Sequence, residues 1–98
     1  MNFNYREISA STNASTNDRV IGVDTSSTAI TIGLPTANSV RKGFILTVKD
    51  IKGQSDTNNI TIARGGTDTI DGHASLTINN PFAAVSLVSS GATTWHIF

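Results

Sequence analysis

The chain has 98 residues, the size of a single domain, and its seven basic and seven acidic residues give a formal net charge of zero. That balance argues against binding to nucleic acid, which needs clustered Lys and Arg to displace counterions, and the lack of Cys excludes disulfides, thiolate metal sites and Cys nucleophiles. No apolar run approaches the roughly 18 residues of a membrane span, and the polar start of the chain has no apolar signal-peptide block. We therefore expect a soluble protein made in the cytoplasm, with neither nucleic acid nor a membrane as a partner.

The chain begins with a polar segment of low complexity, residues 1–17. Such a sequence buries too little apolar surface to fold alone, and we expect an extended arm. Phe3, Tyr5 and Ile8 are apolar side chains within it, and we expect them to face one side of the segment and to bind a partner. An extended segment can add as a strand to the open edge of a neighbouring sheet. The alternative is that Phe3 and Tyr5 pack on their own subunit.

The rest of the chain, residues 18–98, is predicted to be a β domain. Val, Ile and Thr supply 31 residues, whereas Leu supplies four and Glu one, and β-branched side chains fit a pleated sheet better than a helix. Apolar and polar residues alternate between turn residues in eight segments: 18–24, 29–34, 43–50, 59–64, 69–70, 75–79, 83–89 and 93–98. About eight short strands at this spacing are typical of an all-β, compact antiparallel β-sandwich or small barrel. The sequence shows no repeat of fixed period, which argues against a solenoid.

Two connections between these strands have a distinct composition. Residues 36–42 follow Pro35 and have room for a single helical turn. Residues 51–59 combine Gly53, Asp56 and two Asn residues, which indicates an exposed loop. A loop on a rigid β scaffold is a common place for recognition, and we expect residues 52–58 to serve that role if the protein binds a receptor.

The alternation also assigns side chains to the two faces of the strands. The predicted inward set is Ile30, Ile32, Phe44, Leu46, Val48, Ile60, Ile62, Ile70, Ile78, Val85, Leu87, Trp95 and Ile97. Trp95 is in phase with Ile97, which favours core packing over an exposed sugar-stacking platform. The apolar residues expected on the second face are Ile21, Ile45, Ala84, Val88 and Phe98. A chain of this size buries only roughly 60–65% of its unfolded surface, so we expect a homo-oligomer to cover them.

Asp68, Asp71, His73 and His96 are the residues that most invite a chemical role, because Asp and His serve as metal ligands and as acid–base groups. Turn chemistry explains them better: Asp71 precedes a Gly as in a tight turn, and Asp68 follows a Gly-Gly pair. Glu7 is the only Glu, so the paired carboxylates of a glycosidase are not evident, and no Gly-x-Ser-x-Gly elbow occurs. We therefore expect no catalytic residues, no metal site and no cofactor.

Short motifs follow one another in a fixed order from residue 29 to the end of the chain. They are Ile30-Thr31-Ile32-Gly33-Leu34-Pro35, Val40, Gly43, Thr47-Val48-Lys49-Asp50, Gly53, Thr57-Asn58-Asn59-Ile60-Thr61-Ile62, Thr69-Ile70-Asp71-Gly72, Ser86-Leu87-Val88-Ser89, Gly91 and Trp95-His96-Ile97. Taken together, they resemble a β module that recurs in bacteriophage virion proteins, especially tail fibres, spikes and surface-projecting head proteins. The chain departs from that pattern at Phe82-Ala83-Ala84-Val85, where the family often has an aromatic-Gly-Ser-Val step, and at Ser89-Ser90-Gly91, where Ser-Asp-Gly is common.

The resemblance implies a non-enzymatic, commonly trimeric module on the surface of a virion. Within that class we expect a capsid decoration (cement) or head-projection subunit, anchored by its N-terminal arm to the major capsid protein or another virion protein. The alternative is a receptor- or glycan-binding subunit of a tail fibre or spike, with a host-surface glycan as partner. A hydrolase acting on surface polysaccharide is the third and weakest hypothesis.

Overall fold

The computed structural model describes residues 4–98, and these residues are almost entirely β structure, as predicted. The strands are β1 (Tyr5–Ile8), β2 (Thr12–Asn13), β3 (Val20–Val23), β4 (Ile30–Gly33), β5 (Ile45–Asp50), β6 (Ile60–Ala63), β7 (Thr69–Ile70), β8 (Ser75–Ile78), β9 (Ala84–Ser89) and β10 (Thr94–Ile97). A single-turn 3-10 helix, Ala37–Ser39, occupies the predicted connector. In the described part of the chain, no helix has the length and apolar character needed to cross a membrane.

The strands form two sheets around one core. The first sheet has the order β1-β3-β5-β9-β10-β7, and the second has the order β2-β4-β6-β8. β1, β3 and β5 run parallel to one another, as do β2, β4 and β6, whereas β9 is antiparallel to both β5 and β10. The sheets are therefore mixed, and the prediction of an antiparallel arrangement is corrected in this respect.

The parallel pairs arise because successive strands from β1 to β8 alternate between the two sheets. Each strand from β3 to β6 thus lies beside the strand two before it. The paired residues Tyr5 and Val20 are 15 positions apart, whereas Val20 and Thr47 are 27 apart. Because the connections differ in length, this alternation leaves no fixed period in the sequence.

The core contains the predicted inward residues. Ten of the thirteen are buried, and Phe44, Val85 and Ile97 are half-buried against them, so the prediction is confirmed. Trp95 is fully buried, and its indole N–H donates to the Pro35 carbonyl at 3.3 Å. The assignment of Ile21 to the outer face is wrong: its side chain is 0% exposed, because β3 turns Ile21 inward.

The described part of the predicted arm lies at the edges of the two sheets. β1 pairs with β3 in the first sheet, and β2 pairs with β4 in the second. The Arg6 guanidinium lies 2.9 Å from the Asp18 carboxylate and donates to the Asn13 carbonyl at 3.3 Å. Residues 5–8 and 12–13 thus pair with strands of their own subunit.

Candidate functional site

The carboxylate of Asp50, at the end of β5, is the centre of a hydrogen-bond network. Asp50 is fully buried. Its five donors are the Thr25 hydroxyl at 2.8 Å and the backbone N–H groups of Lys52 at 3.1 Å, Gly53 at 2.9 Å, Ser55 at 3.1 Å and Phe82 at 3.1 Å. Burial alone would raise the pKa of the Asp50 carboxyl, but the hydrogen bonds outweigh burial and hold the pKa below its usual range.

This network fixes the loop of residues 51–58, which follows β5. The Thr25 hydroxyl accepts from the Gln54 N–H at 3.0 Å, and the Thr25 carbonyl accepts from the Asn58 side-chain amide at 2.7 Å. Ser55 is buried and donates through its hydroxyl to the Asn80 carbonyl at 2.7 Å. The loop is therefore tied to the β3–β4 and β8–β9 connections. The exposed side chains that it presents are Lys52, Gln54, Asp56 and Thr57.

Phe82 lies beside this loop, in the connection between β8 and β9. Its φ is 61°, and its side chain is 57% exposed. The Phe82 ring lies directly on Gly53, and the Lys49 ammonium is 5.9 Å from the ring centroid. The same ammonium donates to the Phe82 carbonyl at 2.6 Å. An aromatic ring is thus held at the surface by the two elements that Asp50 organises.

The arrangement is suited to contact rather than to proton transfer. A carboxylate offers about four lone-pair sites, and the five donors on Asp50 occupy its two oxygens. A carboxyl with a lowered pKa is also a poor general acid near neutral pH. What the surface offers a partner is the Phe82 ring together with the amine and amide groups of Lys49, Lys52 and Gln54.

The four residues considered for metal or acid–base chemistry do not form one site. Asp68 is buried and accepts from a backbone N–H of the 3-10 helix at 2.7 Å. Asp71, with φ 48°, begins the predicted tight turn, and His73 closes it through backbone hydrogen bonds. The Nδ1 atom of His96 lies 3.5 Å from the Oδ1 atom of Asp71 at the surface. Within residues 4–98, no three metal-ligating side chains are placed to share an ion.

The apolar residues predicted to bind a partner through the arm are separated. Phe3 lies outside the described residues. Tyr5 is 53% exposed and its ring covers Gly22, whereas Ile8 is half-buried against the core. Tyr5 and Ile8 are three positions apart and so point to opposite faces of β1, which corrects the expectation that they share one face.

Open clefts lie elsewhere on the surface. One, of about 580 Å³, is lined by residues 11–13 and by Thr31, Gly33, Ala63 and Arg64. Its lining is hydroxyl, amide and small side chains apart from the guanidinium. A cleft of about 230 Å³ is lined by Thr16, Arg19, Ser39, Val40, Arg41 and Phe44, and the Arg19 guanidinium there lies 4.3 Å from the centre of the Phe44 ring.

In the sequence, Asp50 and Phe82 are named only as part of the resemblance and are not identified as site residues. A signal for Asp50 exists: an Asp at a strand end, followed by Gly53 and Ser55, fits a side chain that accepts from the next backbone N–H groups. The conformation of Phe82 has no such signal, because φ above zero is normally indicated by Gly, Asn or Asp.

No protein-family model matches the chain, and no curated protein matches it.

Proposed function

We propose that the protein is a non-enzymatic structural subunit of a bacteriophage virion, of the capsid decoration or head-projection kind. The observation that carries this proposal is where the motifs that resemble phage virion proteins lie in the structure. Those that lie on strands fall on β4, β5, β6, β7, β9 and β10, which belong to both sheets. The motifs thus belong to one continuous β framework, as a structural module requires.

The outer face of the first sheet supplies a surface for contacts between subunits. Ile45 is 43% exposed and Phe98 is 68% exposed. Ile45 lies opposite Val88 across the β5–β9 pair, and the Phe98 N–H donates to Ser86 of the same strand β9. Apolar side chains clustered on an exposed sheet face favour self-association, and a homotrimer is what the resemblance implies.

The open edge of β1 supplies a second contact, toward the particle. β1 is the terminal strand of the first sheet, and a terminal strand can pair with a strand of another protein. Residues 5–8 already lie in the sheet. The hypothesis therefore places the anchor at this sheet edge and not in a freely extended arm.

A receptor- or glycan-binding tail fibre or spike subunit is the second candidate. The observation that favours it is the fixed conformation of the loop of residues 51–58, whose exposed polar side chains stand beside the Phe82 ring. A recognition loop gains affinity when it is already ordered before binding.

The location and copy number of the protein on assembled particles test the proposal. We expect quantitative mass spectrometry of purified phage to find copies on the order of hundreds, and labelled antibodies to decorate the head. A handful of copies at the tail would favour the second candidate. Absence of the protein from purified particles would overturn both.

A further inference from the structure

Phe82 adopts a backbone conformation that a bulky side chain rarely takes. Its φ of 61° lies in the left-handed region, which Gly, Asn and Asp occupy at lower cost. A strained residue persists only where its surroundings hold it, and such residues concentrate at functional sites.

Three neighbours hold Phe82 in place. Its N–H donates to the buried Asp50 carboxylate at 3.1 Å, and its carbonyl accepts from Lys49 at 2.6 Å. Beneath the ring lies Gly53, with φ 76°, where any Cβ would collide with the ring. Both the backbone and the ring are therefore fixed before any partner arrives.

Burial does not explain the ring. The side chain remains 57% exposed, so it recovers only part of the stabilisation that a buried Phe gains. Asn or Gly at this position would satisfy the same backbone hydrogen bonds with less strain. The Phe82 ring therefore contributes little to the stability of the fold, whereas its fixed position at the surface suits contact with a partner.

The surroundings of the ring indicate the chemistry of its partner. Lys49 is close to the ring, exposed Lys52 and Gln54 flank Gly53, and Asn80 begins the turn that carries Phe82. Amine and amide groups around an exposed aromatic ring suit a ligand with an apolar face and a rim of hydroxyls. The lysines disfavour a cation, and the polar rim disfavours a wholly apolar surface.

We propose that Phe82 is the stacking platform of a binding site for a pyranose sugar of a polysaccharide, with Lys49, Lys52, Gln54 and Asn80 as its hydrogen-bonding rim. The site goes beyond the structural role proposed first and gives a ligand class to the second candidate function, and it is independent of where the protein sits on a particle because binding is measured on the isolated protein. A negative result therefore leaves the position of the protein on a virion untouched.

The test is a titration followed by NMR of the aromatic rings. The probes are tetrasaccharides of glucose, mannose, galactose, N-acetylglucosamine and glucuronic acid. We expect at least one to shift the Phe82 ring signals in a saturable way while the signals of Phe98, another exposed Phe, stay unchanged. Stronger binding of the glucuronic acid probe than of the neutral probes would indicate that Lys49 and Lys52 contribute to binding.

Phe82→Asn is the decisive variant, since Asn tolerates positive φ. We expect it to weaken binding at least about tenfold, as loss of an aromatic anchor does, with a melting temperature equal to or above that of the wild type. Phe82→Tyr retains a ring and should bind, and Thr77→Asn, a change at an exposed position of the second sheet, is the matched control. The proposal is wrong if no probe shifts Phe82, if Phe82→Asn binds normally, or if Phe82→Asn only lowers the oligomeric mass.

Discussion

At the scale of single residues, Asp50 determines how one end of the molecule is built. A buried charge is costly unless hydrogen bonds compensate it, and here five donors surround one carboxylate. Asp50→Asn replaces an acceptor oxygen with an NH₂ group that faces N–H groups in need of an acceptor. We expect a loss of about 2–4 kcal/mol in the free energy of unfolding at pH 7, measured by urea denaturation. Asp56→Asn, an exposed change in the same loop, is the control and should have little effect.

The contribution of Asp50 also has a defined pH dependence. The pKa of Asp50 is lowered in the folded protein, so its stabilising effect is fully present above the unfolded-chain pKa of about 3.9 and is lost as the pH falls toward the lowered value. The free energy of unfolding should therefore decline below about pH 4, less steeply in Asp50→Asn than in the wild type. Equal slopes would contradict the assignment.

Leu46 represents the residues that hold the two sheets together. It is 0% exposed and lies opposite Leu87 across the β5–β9 pair. Leu46→Ala removes buried methyl groups and leaves a cavity, and we expect it to cost about 2–5 kcal/mol. Thr31→Ala, at an exposed position of β4, should change stability by less than about 0.5 kcal/mol. Similar costs for the two variants in urea denaturation would show that the core has been assigned wrongly.

At the scale of elements, local sequence patterns predict where strands and turns lie, but they do not predict which strands pair with each other in a sheet. Alternation at Ile30 and Ile32 predicts β4 and its inward face because side chains alternate along a strand. The Asp71-Gly72 pair predicts its turn for a similarly local reason. In the parallel pairs, which strand lies beside which depends on contacts across 15 to 30 residues, and no local pattern encodes them. The same holds for the site, since Asp50 and Phe82 are 32 positions apart.

The edge strand β1 yields a prediction at this scale. The carbonyl of Asn4 accepts from Val20 of β3, and the carbonyl of Ile8 accepts from Asp24, which follows β3. Because bonding direction alternates along a strand, the N–H of Glu7 points away from β3. Glu7→Pro removes that outward donor and leaves the β1–β3 bonds in place. If β1 anchors the protein, Glu7→Pro should fail to bind phage particles that lack the protein, whereas Glu7→Val, which retains the N–H, should bind.

Two results would contradict edge anchoring. Glu7→Pro could bind the particles as well as the wild type does, which would mean that the outer edge of β1 makes no contact. Alternatively, both variants could fail to bind, which would assign the contact to the Glu7 side chain. That side chain also accepts a hydrogen bond from the Tyr5 hydroxyl at 3.0 Å. Equal melting temperatures for the three proteins are the required control.

At the scale of the whole molecule, charge and shape both favour association. The net charge is zero, so no long-range repulsion keeps copies apart. The two sheets share one core, which leaves the outer faces of a small body to be covered by partners or by water. On the first sheet that outer face carries Ile45 and Phe98, which are among the exposed large apolar side chains of the described residues.

We therefore predict self-association in solution, with Ile45 and Phe98 at the contact between subunits, and the resemblance to phage virion modules makes a trimer the expected state. Sedimentation at micromolar concentration should give three times the 10.3 kDa mass of the chain. The double change Ile45→Lys and Phe98→Ser places a charge and a hydroxyl on that face, and it should yield a folded monomer because both side chains are already exposed in the single subunit. Thr31→Lys, on the outer face of the second sheet, should leave the mass unchanged. A wild-type protein that sediments as a monomer would contradict the trimer, and a trimer that survives the double change would move the contact to another face.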